Sequence, residues 1–296
     1  MSSFESTWDY GDYRPLKVLL TFILVIGGFI LGNSPILFLY PLDRGKTMTD
    51  LVSYFGFTKL FLLQMIPFFF GLIGFFASTQ FIHKVSLITW FTSRIKIDIN
   101  RIFFSFVLWA TLIILPTLVD WYISPSKYTL QFEWRSFFTT CILLGICLPF
   151  QVLFEELLFR GFLFQGLAKR TKSIPFTIIL SGVMFGLMHI GNPEVTAQGY
   201  WLLGIYITLG IALSLIAFLD QGIEIPFGFH LANNFVTGIL VTSSDQAFQT
   251  KALLKMDSLD FTMASFAWLL VSLAIFLLVV SRRFRWKELR VKRNNH

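Results

Sequence analysis

The sequence predicts an all-α polytopic membrane protein, a bundle of about eight transmembrane helices forming one domain over residues 1–296. Three observations predict it. The chain is 55% hydrophobic and only 14% charged, with a mean hydropathy of +0.70, whereas a soluble domain carries about 25% charged residues. Uncharged runs of spanning length recur eight times. Lys and Arg fall unevenly between the connections. The 36 Phe residues suit a surface that faces lipid.

The spans are marked by runs long enough to cross about 30 Å of hydrocarbon. They cover residues 18–40, 60–82, 102–119 and 136–154, the fourth continuing through a charged triplet to about 167. The remaining four cover 173–190, 199–219, 225–241 and 261–280. The first is no cleavable signal: Glu5, Asp9 and Asp12 precede it, and its apolar run is too long. The segment 83–101 mixes Ile, Leu, Trp and Phe with basic residues and reads as lying in the cytoplasmic interface. Residues 190–198 read as an outer turn, and 242–260 as the longest outer connection. Gly27, Gly28, Gly182, Gly186 and Gly228 offer close helix packing. Pro149 removes a backbone bond six residues before Glu155 and is a candidate opening of the fourth helix.

With the N-terminus inside, sixteen Lys and Arg fall on the cytoplasmic side and seven outside, Arg160 being intramembrane. The positive-inside rule then places both termini in the cytoplasm, and a bacterial cell membrane is the expected location. The net charge of +7 follows largely from the basic tail Arg282–Arg293 and does not indicate nucleic acid. That tail reads as a stop-transfer anchor touching anionic lipid. Cys141 and Cys147 sit six apart on one helix, about 240° around it, and cannot pair. The chain shows no internal repeat of the kind inverted-repeat transporters carry.

Glu155, Glu156 and Arg160 lie inside an apolar stretch. One charge at the centre of a spanning helix costs about 2.5–3.5 kcal/mol to insert, and such residues mark functional sites by default. Glu156 and Arg160 stand at i and i+4 with the acid first, the better orientation for a helical ion pair. Glu155 is rotated about 100° away. This assigns Glu156 and Arg160 as structural partners and Glu155 as the free base.

His189 ends FGLMH. Glu155 stands 14 residues before Lys169 and His189 14 residues after Pro175, so both lie about 21 Å from the loop joining their helices. A lone His in an apolar helix is commonly a bonded core residue, but matched depth with Glu155 points to function. His230 and Asn234 share a face at i and i+4, with Asn233 the weaker candidate. His230 stands only about five residues into its helix, so the helix must begin deep or tilt.

The residues leave two chemical readings. In one, Glu155, His189 and His230 bind Zn²⁺ and leave a position for water. In the other, no cofactor is needed: Glu155 and His189 activate water while His230 and Asn234 donate to the oxyanion.

The ordered set Glu155-Glu156-Leu-Leu-Phe-Arg160, Phe185-Gly-Leu-Met-His189 and His230-Leu-Ala-Asn-Asn234 resembles the CPBP family. These are the CAAX-protease and bacteriocin-processing intramembrane proteases, also called Abi. The resemblance covers a core of about residues 137–241. It implies an eight-helix bundle with a water-accessible site, Glu155 as general base aided by His189, and His230 with Asn234 at the oxyanion. It implies hydrolysis of a peptide bond in a membrane-associated protein or peptide substrate. Two other classes stand beside it. One is a non-proteolytic peptide-binding or bacteriocin-immunity protein of the same family. The other is an ion-coupled transporter, against which the ordered His230–Asn234 face argues.

Overall fold

A computed structural model of the chain describes residues 12–41, 43, 45, 47–259 and 261–286. The expectations resting on Glu5, Asp9, Arg44, Lys46, Asp260 and the tail beyond Trp286 lie outside these residues. Each of the eight predicted spans is helical. They are α1 (Pro15–Leu39), α3 (Phe57–Ala77), α5 (Ile99–Ile123), α6 (Trp134–Glu156), α8 (Ile174–Leu187), α10 (Leu203–Asp220), α11 (Glu224–Leu240) and α12 (Met263–Arg283). Six helical stretches are long and apolar enough to cross a membrane, and α8 is a shorter apolar helix. With 17 residues and Glu224 at its start, α11 falls short of spanning length. The protein is therefore an all-α polytopic membrane protein, and six helices among the described residues have full spanning character.

Short helices join them: α2 (Met48–Phe55), α4 (Leu87–Phe91), α7 (Phe164–Thr171) and α9 (Pro193–Gln198). Four helix starts among the described residues, those of α2, α5, α6 and α12, carry side-chain caps. Thr47 and Asp50 form a capping box on α2, and Thr262 with Ser265 does the same for α12. Glu133 accepts from the Ser136 and Arg135 backbone N–H groups at the start of α6, at 2.8 and 3.0 Å. Ser136 first, then Arg135, hold its carboxyl below the ordinary carboxylate value.

Glycine sets the helix spacing. Gly28 and Gly32 of α1 rest on the backbone of Phe70 and Pro67 in α3, and Gly74 of α3 returns the contact on Leu24. Gly182 and Gly186 of α8 lie against the backbone of Ile211 and Ile207 in α10. Gly228 of α11 lies against Ile102 of α5. In lipid, where apolar surface gives no drive for helices to associate, such backbone contact is what holds them. Helix α6 packs between α3 and α11. The outward faces carry Leu, Ile and Phe, for example Leu31, Phe38 and Ile123.

Three features go beyond the sequence reading, and the last corrects it. The connection 242–260 carries part of a small sheet: β2 (Val241–Ser243) and β3 (Leu254–Met256) pair in parallel, and β1 (Thr129–Leu130) adds antiparallel to β3. The segment 83–101 is partly buried in the protein. Trp90 and Phe91 turn into the core, because Ile223 donates to the Phe91 carbonyl at 2.8 Å and Ser93 to Gln221 at 3.2 Å. Ile95, by contrast, is 96% exposed. Third, α6 runs unbroken through Pro149, and the change in pitch comes later, in a π-helical turn at Leu157–Leu163. Such turns arise at functional sites because they re-aim side chains within a helix.

The depth of α11 has a specific cause. Arg94 reaches Asp220 and Glu224 at 3.1 Å each, Arg101 pairs with Asp220, and Trp286 donates to Asp220 at 2.9 Å. Asp220 and Glu224 are fully buried. This network starts α11 inside the protein, so His230, about 9 Å along it, reaches the middle of the bundle.

Candidate active site

Two adjacent carboxylates at the end of α6 sit in different surroundings. Glu156 and Arg160 are both 0% exposed, and bare charges there would be prohibitive unless paired. Glu156 Oε1 accepts from Arg160 Nη1 at 2.8 Å and from His230 Nδ1 at 2.8 Å. Arg160 continues with Nη2 to the Gly210 carbonyl at 3.2 Å, and its guanidinium lies 4.3 Å over the Phe185 ring. The pairing of Glu156 with Arg160 follows from their spacing. The third member, His230, does not.

Because His230 gives Nδ1–H to a carboxylate, its Nε2 is turned to the other side. It faces Glu155 Oε2 at 3.7 Å. That distance is too long for a direct hydrogen bond and suits an intervening water. Carboxylate-to-imidazole support of this kind fixes ring orientation and tautomer. Glu155 Oε1 accepts from Gln151 Nε2 at 3.0 Å. Gln151 is one turn before Glu155 and belongs to none of the three motifs. Its polar side chain in an otherwise apolar turn was the available signal.

His189 lies just beyond the end of α8. Its Nδ1 bonds the Phe185 carbonyl at 2.9 Å, and its ring stacks on Tyr206 at 4.2 Å and 15°. No hydrogen bond joins it to Glu155. Phe185 connects the parts: its ring meets His189, His230 and Phe159 at centroid distances of 4.9, 5.7 and 5.3 Å. The phenylalanine of the FxxxH pattern thus spaces the two imidazoles. Tyr206 in turn donates to Glu194 at 2.6 Å, and Glu194 also accepts from Asn192 at 2.9 Å and from the Ala247 N–H at 3.0 Å. Gln64 holds the Ala247 carbonyl at 3.1 Å. Tyr206, Glu194 and Gln64 carried no motif, and none of them stands out in the sequence.

Asn234, nearly three turns from the start of α11, donates Nδ2 to Gln151 Oε1 at 3.4 Å. Its neighbour Asn233 donates to Asn234 Oδ1 at 3.2 Å and accepts from Trp109 Nε1 at 3.2 Å.

The zinc alternative needs Glu155, His189 and His230 to converge. Among the described residues no three His, Cys, Asp or Glu side chains are grouped to hold a metal ion. His230 faces Glu155, while His189 is turned into its own helix end and onto Tyr206. As arranged, these residues do not fit a resident metal.

Residues 134–236 match the family described as type II CAAX prenyl endopeptidase Rce1-like. The chain is 28% identical over 251 residues to the uncharacterized protein YyaK of Bacillus subtilis (strain 168), an alignment covering 80% of this chain and 82% of that one. No solved structure matches. The matched span contains Glu155, Glu156, Arg160, His189, His230 and Asn234 on or beside apolar helices, so the protein is a multi-pass membrane protein whose residues 134–236 are similar to the CAAX-protease (CPBP) family.

Proposed function

We propose that the protein is an intramembrane endopeptidase that cleaves a peptide bond of a membrane-associated protein or peptide with water activated by Glu155. The observation that carries this reading is the unequal fate of the two carboxylates. Glu156 is committed to Arg160 and His230, while Glu155 keeps Oε2 open toward His230 Nε2. In this reading water sits between Glu155 Oε2 and His230 Nε2. Glu155 takes its proton as the oxygen attacks the scissile carbonyl carbon, and later delivers that proton to the departing amine. The Asn234 amide stands beside the developing oxyanion, while His230, held through its Nδ1–H, accepts from the water at Nε2. Arg160 and Glu156 touch no reacting atom; they hold His230 in place.

A quenched fluorescent peptide ending in a farnesylated CAAX sequence is the first probe, since the matched family is one of CAAX prenyl endopeptidases. Comparison of membrane proteomes from wild-type and Glu155→Ala cells then seeks natural substrates. Loss of one oxyanion donor in Asn234→Ala lowers kcat by about 10²–10³-fold. A variant with wild-type kcat would remove Asn234 from the reaction.

We also infer that both termini face the cytoplasm, on the strength of sixteen basic residues against seven. A reporter fused after His296 reads as cytoplasmic and a tag placed within residues 244–250 reads as external. The opposite pattern overturns the orientation.

A further inference from the structure

Four side-chain hydrogen bonds run in one direction into the proposed site. Trp109 Nε1 donates to Asn233 Oδ1 at 3.2 Å, and Asn233 Nδ2 to Asn234 Oδ1 at 3.2 Å. Asn234 Nδ2 then donates to Gln151 Oε1 at 3.4 Å, and Gln151 Nε2 to Glu155 Oε1 at 3.0 Å. An amide can flip, so the polarity of such a chain is ordinarily ambiguous. Here both ends remove the ambiguity. An indole N–H can only donate, and an ionised carboxylate can only accept. Three amides lie between them, and each is forced into one orientation.

We propose that Trp109, Asn233 and Gln151 form a one-way amide relay that positions Asn234 and Glu155 for catalysis, an inference that rests on the peptidase reading above. Two consequences follow. Asn234 gives its carbonyl oxygen to Asn233, so the group it turns to the site is N–H, a donor suited to an oxyanion and not to a cation. Glu155 has Oε1 tied by Gln151, which leaves Oε2 as the oxygen that takes the proton. The Gln151 N–H bond to Oε1 is charge-assisted while Glu155 is a carboxylate, and such a bond is weaker to a neutral acid, so the relay favours the ionised base. Chains of hydrogen bonds polarise one another, which carries this preference inward from Trp109.

Gln151 is a positioning residue, as are Asn233 and Trp109. Gln151 is 5% exposed and Trp109 2%, and Trp109 also stacks on Phe229 at 3.8 Å and 23°. That stack survives in Trp109→Phe, which removes only the N–H. The charged and titratable neighbours Glu156, Arg160, His189 and His230 are unchanged in both test variants.

The test uses the full-length protein in lipid nanodiscs with the farnesylated CAAX peptide as probe. Gln151→Met lowers kcat by about 10–100-fold with KM within about twofold, and moves the acid limb of the kcat/KM profile up by about one to two pH units, the size of one hydrogen bond to a charged group. Trp109→Phe lowers kcat by about threefold to tenfold, as for one neutral hydrogen bond. A Gln151→Met enzyme with the wild-type acid limb and kcat overturns the relay.

A second readout needs no cleavage. The Glu155 carboxyl band is identified by infrared difference against Glu155→Gln and followed with pH. Its ionisation moves to higher pH in Gln151→Met, and less far in Trp109→Phe. An unshifted band overturns the relay, with Trp109→Phe decisive where Gln151→Met does not fold. A wild-type protein that leaves the peptide intact counts against the peptidase reading, while the infrared shift still decides the relay.

Discussion

Glu155→Gln is expected to lower turnover of the farnesylated peptide by about 10²–10⁴-fold, the contribution of a positioned general base, and to leave the fold intact. The amide keeps the shape of the side chain and can still accept from Gln151, so the hydrogen bond at 3.0 Å has a counterpart in the variant. What it loses is the capacity to take a proton at Oε2, where His230 Nε2 stands at 3.7 Å. Among the described residues Glu155 forms no ion pair with Lys or Arg, so no buried charge is stranded. Two measurements check the expectation: kcat on the peptide, and the thermal unfolding midpoint in detergent. Near wild-type turnover would remove Glu155 from the reaction.

Glu156→Gln should do the reverse in kind, and it carries the largest expected effect on stability. Arg160 is wholly buried, and the same oxygen of Glu156 serves both Arg160 and His230 at 2.8 Å. Removing one partner of a buried pair leaves an uncompensated charge and costs about 3–5 kcal/mol. The remaining bond from Arg160 to the Gly210 carbonyl and the contact with Phe185 satisfy only part of the guanidinium. Replacing both partners, as Glu156→Leu with Arg160→Met, should recover much of the loss. The coupling between the two sites is then read from the cycle of single and double variants. Activity should not return in the double variant, because His230 has lost the acceptor that orients it. Full additivity of the two single changes would mean that the pair is not a unit.

Hydropathy was enough to place the helices, because lipid imposes one requirement along the whole chain: backbone groups satisfied within the segment and apolar side chains outside it. The eight apolar runs all became helices. Their lengths did not follow as well, since α8 and α11 lie among other helices and need not meet lipid along a full span. The Glu156–Arg160 contact was legible because both residues are on one helix, four apart. Contacts between helices were not. The depth of His230 depends on Arg94 and Arg101, distant in sequence and unremarkable within a basic segment. Gln151 and Trp109 matter through what they face, and periodicity is silent on facing partners. The small sheet was missed because its strands are two or three residues long, too short for alternation to register.

The way the charges of α6 are shared also bears on how the chain is made. The partners of Arg160 and Glu156 on α10 and α11 lie 50 and 74 residues further along. At ribosomal speed the longer stretch takes roughly 4 to 15 s to synthesise. During that interval α6 must enter the bilayer with Gly210 and His230 not yet made. Its own turns supply what it needs: Arg160 covers Glu156, and Gln151 covers Glu155, each from four residues away. The nascent helix thus carries one ion pair and one hydrogen-bonded carboxylate when the translocon releases it. The later helices arrive at a segment already in place, and take one lone pair of Glu156 for the imidazole.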